Sequence, residues 1–197
     1  MLAIKGGPPL NTKKFEWNSL IGQEEREAVL EVLDSKVLSD FYGSPGERFL
    51  GGKKVKELDK KWAEYFGVKY AVSMNSATSC LFAAVAALGI GPGDEVIVPP
   101  LTMSSTVVSV FGCNAIPIFA DLEPDYFCID VKSVESKITS RTKAIIAVDL
   151  FGQPADFIAL RKLADKHKLA LIEDCAQAPG AFLKDKMAGT LGDIGIY

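Results

Sequence analysis

Leu169-Ala-Leu-Ile-Glu-Asp-Cys-Ala-Gln-Ala-Pro-Gly-Ala181 is the stretch whose reading decides the fold. An apolar run from Leu169 to Ile172 meets two carboxylates, Glu173 and Asp174, and then gives way to small residues. An unbroken apolar run is how a strand buried on both faces of a parallel sheet reads. Ligands of open α/β sheets gather just outside the carboxyl ends of such strands. A carboxylate buried there is costly unless a cation or hydrogen-bond donors meet it. Asp174 at the strand end and Gln177 in the turn beyond it are therefore candidate ligand contacts. Two plainer readings stay open: Asp174 caps a following helix, or Glu173 and Asp174 are both solvated.

Working outward, strand-like segments are expected at 70–73, 95–98, 115–119, 144–148, 169–174 and 194–197, and most intervals between them carry helical spacing, as at 79–88, 107–111 and 157–167. The alternation predicts a mostly parallel α/β sheet with helices on both faces. Residues 1–50 have little strand signal and read as an N-terminal arm. It holds an amphipathic helix over 23–35, with Val29, Leu30 and Leu33 on one side, and a loop follows over 38–52. A helix over 53–66 stopped by Gly67 opens the regular part, so the expected division is 1–50 and 51–197.

Composition narrows the function. The 197 residues are 48% hydrophobic and 24% charged, with a formal net charge of -3. That balance carries no basic bias toward nucleic acid. No apolar run is long enough to span a bilayer, and the N-terminus lacks a secretory signal pattern, so a cytoplasmic chain with no membrane partner is expected. Cys80, Cys113, Cys128 and Cys175 form no C-x-x-C pair, which favours reduced thiols over disulfides or zinc. His167 is the only histidine, which argues against a Ser-His-Asp triad or a multi-histidine metal site; no metal is expected.

Few segments could carry chemistry. In Ser73-Met-Asn-Ser-Ala-Thr-Ser-Cys-Leu81, small hydroxylated residues lead from a strand end into an apolar helix. Free N–H groups and the dipole at a helix N-terminus make such a turn a phosphate cradle, with Thr78 and Ser79 as added donors. Helix capping by the same residues is the commoner use. The glycine run Leu88-Gly-Ile-Gly-Pro-Gly-Asp-Glu-Val96 follows a helix and precedes a strand, the reverse of a dinucleotide fingerprint, and is assigned no ligand. In Pro99-Pro-Leu-Thr-Met-Ser-Ser105, Thr102 and Met103 either line a pocket or belong to a proline-stiffened loop with Met103 filling core space. Three such edges together describe an anion site beside a buried carboxylate. Pyridoxal 5'-phosphate (PLP) needs that pair: a phosphate cradle, and an acid that keeps the pyridine nitrogen protonated.

Residues 75–81, Gly91-Pro-Gly-Asp-Glu-Val-Ile-Val-Pro99, Thr139-Ser-Arg-Thr142, Phe151-Gly-Gln-Pro-Ala-Asp156, Ile172 to Ala181 and Gly189-Thr-Leu-Gly-Asp-Ile-Gly-Ile-Tyr197 are in register with one family. The chain resembles the DegT/DnrJ/StrS sugar aminotransferases from about Pro8 to Tyr197. The resemblance implies a fold-type-I PLP-transferase large domain. It also implies transfer of an amino group from glutamate to a keto sugar carried on a nucleotide, or to a keto-cyclitol in some relatives. By the same resemblance Thr78 and Ser79 hold the cofactor phosphate, Asp174 meets the pyridine nitrogen, and Gln177 lies beside the ring hydroxyl. Met103 stands where an aromatic ring usually stacks on the cofactor, and Ala77 where glycine is common. The family's Schiff-base lysine falls beyond Tyr197, so this large domain is expected to be incomplete, without the C-terminal small domain, and inactive by itself. Lys184 and Lys186 flank Asp185 in what reads as a polar hairpin. A homodimer is implied for the full-length protein. The alternative is a non-catalytic relative that keeps the fold to bind a ligand or partner.

Overall fold

The computed structural model describes residues 1–13 and 20–197. Residues 14–19 of the expected arm lie outside the described residues. The chain divides into two compact units, Met1–Lys53 and Lys54–Tyr197. In the first, a short 3-10 turn at Ala3–Lys5 precedes helix α1 (Gln23–Ser35). Glu25 reaches back from the first turn of α1 to accept the Gly22 N–H at 2.7 Å, which satisfies one orphan donor of the helix start. The expected apolar side of α1 is present but not covered: none of its residues is buried. Residues 38–52 form no helix or strand, as expected.

The second unit carries the sheet. Helix α2 (Lys53–Phe66) leads into it, followed by α3 (Ala77–Ala87), β1 (Glu95–Val98), α4 (Ser105–Gly112), β2 (Ile116–Phe119), α5 (Val131–Lys137), β3 (Thr142–Val148), α6 (Phe157–His167), β4 (Ala170–Asp174), a hairpin of β5 (Phe182–Leu183) and β6 (Lys186–Met187), and β7 (Ile194–Ile196). Five strands pair in the order β2-β1-β3-β4-β7, every neighbour parallel. Each parallel connection needs a crossover, and helices supply it except between β4 and β7, where the chain returns through turns and the β5–β6 hairpin.

Period-two alternation along the central strands sorts the helices into two layers. On one face, Ile97, Ile145, Ala147 and Leu171 pack with Val134 of α5 and with Phe157, Leu160, Leu163 and Ala164 of α6. On the other face, Val96, Val98, Ala144, Ile146, Ile172 and Ile196 pack with Leu81, Ala84 and Val85 of α3 and Val110 of α4. Both faces are dry, which is why the strands read as continuous apolar runs. The chain leaves β1 in one direction to form β2 and returns on the other side of β1 to form β3. That reversal opens a crevice at the carboxyl ends of β1 and β3, the usual ligand position in such sheets.

At the opposite, amino edge, Glu95 is buried and held by the Arg141 guanidinium, whose Nε lies 2.8 Å from Oε1, and by the Thr139 hydroxyl on Oε2. The Thr139 hydroxyl first, and then Arg141, hold its carboxyl below the usual range. Two glycines of the closing segment have no alternative. A Cβ on Gly189 (φ +86°) would lie 1.8 Å from the Tyr197 hydroxyl, and one on Gly192 2.7 Å from the Leu171 carbonyl oxygen.

One expectation needs correction, and one helix was not anticipated. Residues 70–73 form no strand: Tyr70 and Val72 are exposed, and Ser73 gives its N–H to Asp59 Oδ1 at 2.8 Å. Apolar alternation makes a strand only where a ladder partner takes up the backbone groups, and no described strand does so here. Helix α5 carries too short an apolar pattern to stand out in the sequence. It forms because the Asp130 carboxylate caps it, accepting the Ser133 N–H at 2.9 Å, and Val134 buries itself on the sheet.

Ile172 tests the two-sided burial of β4. It is fully buried between β3 and β7, so Ile172→Ala should cost about 3–4 kcal/mol in urea unfolding. A loss under about 1 kcal/mol would mean that this strand is not packed on that face.

Candidate functional site

Asp174 ends β4, and its side chain is buried. Oδ1 accepts the Ala176 N–H at 3.2 Å, and Oδ2 faces the Thr106 hydroxyl at 3.4 Å. The residues after Asp174 form a turn, so it caps no helix, and its burial together with that of Glu173 removes the solvated reading. Burial pushes the Asp174 carboxyl above its ordinary value, against the pull of the Ala176 and Thr106 donors. No ion pair among the described residues neutralises it.

The turns after β3 and β4 are stitched together. The Asp149 N–H donates to the Asp174 carbonyl at 2.9 Å, extending the β3–β4 ladder past the strand ends. Gln177 sits on the exposed turn, where its Oε1 accepts the Phe151 N–H at 2.8 Å. Phe151 is a non-glycine residue at φ +56°, a left-handed conformation that costs energy unless its surroundings hold it. With Oε1 engaged, the amide nitrogen of Gln177 is the group left for a ligand, and it is a donor.

Helix α3 begins two residues earlier than the sequence suggested. Ser76 is its N-cap, accepting the Ser79 N–H at 3.2 Å, and Thr78 and Ser79 lie within the first turn. The first intrahelical bond runs from the Cys80 N–H to the Ser76 carbonyl, so the N–H groups of Ala77 and Thr78 stand outside the ladder. Ser76 thus takes the capping role, and the backbone N–H groups of Ala77 and Thr78 are left outside the helix ladder.

Met103 is exposed in the loop after β1, not packed in the core, and its carbonyl accepts the Thr106 N–H at 3.2 Å. Lys184 and Lys186 belong to the β5–β6 hairpin, as the polar-hairpin reading expected.

Sequence reasoning named Glu173 and Cys175 without linking them, and it missed Asp149. Asp149, Glu173 and Cys175 are fully buried, with a ligand atom of each within 4.8 Å of the others. Glu173 Oε2 accepts the N–H groups of Leu191 at 2.7 Å and Gly192 at 2.9 Å, pinning the segment that leads to β7. Asp149 Oδ1 accepts the Ala155 N–H at 3.0 Å. One oxygen of each carboxylate, Asp149 Oδ2 and Glu173 Oε1, has no donor among the described residues. Burial, with Glu173 and Asp174 adding repulsion, pushes Asp149 up to about 7. Burial also pushes the Cys175 thiol far up, leaving a neutral S–H. The one available signal was Asp149 directly after a run as apolar as Leu169–Ile172.

This arrangement has a pH signature. Folded Asp149 holds its proton to about 7, while the unfolded residue loses it near its ordinary 3.8. Between those values the native state binds more protons than the unfolded one, so its ionisation erodes stability as pH rises. We expect the chain to lose on the order of a few kcal/mol between pH 5 and pH 8 from this group, and Asp149→Asn to flatten that slope in urea melts. Glu95, whose pKa is lowered, acts in a separate window below its ordinary 4.5 and with the opposite sign. A wild-type slope unchanged in Asp149→Asn would contradict the assignment.

Comparison with known proteins agrees with this architecture. The chain is 38% identical over 196 residues to the L-glutamine:2-deoxy-scyllo-inosose aminotransferase of Streptomyces paromomycinus, covering 100% of this chain and 45% of that protein. It is 41% identical over 173 residues to the GDP-perosamine synthase of Caulobacter vibrioides, covering 88% of this chain and 44% of that protein. Its fold superposes on GDP-4-keto-6-deoxymannose-3-dehydratase, solved with a trapped PLP-glutamate geminal diamine, with a TM-score of 0.78 and 31% identity. That match covers 89% of this chain and 44% of the dehydratase, so the chain spans less than half the length of these relatives. The parallel sheet between two helix layers is therefore the fold-type-I arrangement expected from the sequence. The DegT/DnrJ/EryC1/StrS aminotransferase family model matches residues 20–197, and the chain belongs to that family.

Proposed function

We propose that these residues form the cofactor-holding part of a PLP-dependent sugar aminotransferase, one that moves an amino group from glutamate to a nucleotide-linked keto sugar. The observation that carries the reading is Asp174: a buried carboxylate at the carboxyl edge of the sheet, raised above its ordinary value by burial and met by no cationic side chain among the described residues. A pyridinium N–H is a cation that suits it, small, flat and able to donate one hydrogen bond. When bound, the cofactor supplies an electron sink that stabilises a carbanion at the amine-bearing carbon.

This chain's residues then have distinct parts. Asp174 holds the ring nitrogen protonated through an ion-paired hydrogen bond, strong because the site is dry. The free N–H groups at the start of α3, with the Thr78 and Ser79 hydroxyls, hold the phosphate. Gln177, its amide oriented by Phe151, offers an N–H toward the ring hydroxyl. Met103 supplies a polarizable side chain beside the ring. The reading assigns cofactor holding to residues 1–197 and gives none of their lysines the covalent link, so amino transfer by these residues alone is not expected.

Pyridoxine 5'-phosphate, an alcohol that forms no bond with lysine, isolates this part. The chain should bind it, and inorganic phosphate should compete. Asp174→Asn should weaken binding by roughly tenfold or more, the worth of a charged hydrogen bond. Absence of binding by the wild-type chain, or equal binding by the variant, would defeat the proposal.

A further inference from the structure

Among the groups that touch Asp174 directly, one side chain has no part in the reading above. Thr106, in the first turn of α4, is fully buried, although threonine is usually exposed. Its hydroxyl lies 3.4 Å from Asp174 Oδ2 and 3.0 Å from the Thr102 hydroxyl. Its backbone is fixed at both ends: its N–H donates to Met103 and its carbonyl accepts the Ser109 hydroxyl at 2.9 Å. The bond thus joins residues 68 positions apart, across the crevice between the β1 loop and the end of β4.

The directions of the protons follow from chemistry. An ionised carboxylate only accepts, so Thr106 must donate to Asp174. A hydroxyl has one proton, so in the Thr102–Thr106 contact Thr102 is then the donor. Two hydroxyl dipoles therefore point in series at Asp174 Oδ2, and such chains reinforce each bond they contain. At 3.4 Å the inner bond is long, as hydrogen bonds of this kind often are until the site is filled.

We infer that Thr106, backed by Thr102, is a positioning residue that orients Asp174 and keeps it ionised, and so sets the pH range over which the site accepts a cationic ring. This rests on the cofactor reading for its purpose, but the link from Thr106 to Asp174 can be tested without a cofactor. What works against ionisation of Asp174 is burial, and the ionisable groups nearest it among the described residues, Asp149 beyond β3, Glu173 on β4 and the neutral Cys175 thiol, include no cation to offset it. The Ala176 N–H and the Thr106 hydroxyl are what oppose that burial.

The test follows the Asp174 side-chain carboxyl by carbon-13 NMR through a pH titration of the ligand-free chain, with Asp174→Asn to assign the signal. Thr106→Val should raise the titration midpoint by about one unit, the loss of one charged hydrogen bond. Thr106→Ser, which keeps the hydroxyl, should restore the wild-type midpoint. Should Thr106→Val not fold, Thr102→Val at the less buried outer position should move the midpoint the same way by less. An unmoved midpoint in Thr106→Val, or in Thr102→Val if only that variant folds, would overturn the inference. So would an equal shift in Thr106→Ser, since packing alone would then explain it.

Pyridoxine 5'-phosphate binding, measured between pH 5.5 and 8.5, separates the two readings. If wild type binds, the acid limb of binding should move upward in Thr106→Val by the same unit. If wild type fails to bind while the midpoint still shifts, the cofactor reading falls and the coupling of Thr106 to Asp174 stands.

Discussion

The central constraint is the parallel pairing of β3 with β4, continued past both strand ends by the Asp149 N–H to the Asp174 carbonyl. The two strands lie in the interior of the sheet, covered on both faces, so the residues that end them cannot escape to water. Asp149, Glu173 and Asp174 are held in a dry layer by backbone that has no freedom to turn them out. Burying three carboxylates so close together is unfavourable, and each is compensated differently. Glu173 takes two backbone N–H groups, Asp149 keeps a proton, and Asp174 receives a hydroxyl and a backbone donor while facing the crevice.

Those compensations also connect distant segments. Glu173 orders the approach to β7, where Gly189 and Gly192 pass too close to Tyr197 and Leu171 to carry a side chain. Asp149 pins the turn in which Ala155 sits, and Gln177 pins the strained Phe151 in the same turn. Thr106 joins the loop after β1. The buried connections, those of Glu173, Asp149 and Thr106, lie in a low-dielectric setting, where a hydrogen bond is stronger and where its loss costs more. The carboxyl edge is therefore preorganised by its own acids, and among the described residues no positive charge stands beside Asp174.

Much of this was legible in the residues. Leu169 to Ile172 announced a doubly buried strand, and the same signal located β1, β3 and β7 within a residue or two of their bounds. Asp174 and Gln177 stood out because a polar residue right after such a run must sit at the ligand edge. Residues 70–73 misled, since an apolar alternation says which side chains prefer burial and not whether a neighbouring strand exists to pair with them. The start of α3 was misplaced because Ser76, Thr78 and Ser79 are equally good caps by type, and only backbone geometry selects Ser76.

By itself the sequence determined the α/β class, the family, the strand whose end bears Asp174 and the turn that follows it, because periodicity and motif spacing are local properties of the chain. Tertiary structure alone decided which groups meet there. Thr106 is an unremarkable threonine in a run of serines until the sheet brings it to Asp174, and Asp149 is an ordinary acid until the packed helices exclude water from it. Partners separated by 25 to 68 positions cannot be read from spacing, because their encounter depends on sheet order and crossover direction, which are properties of the whole fold.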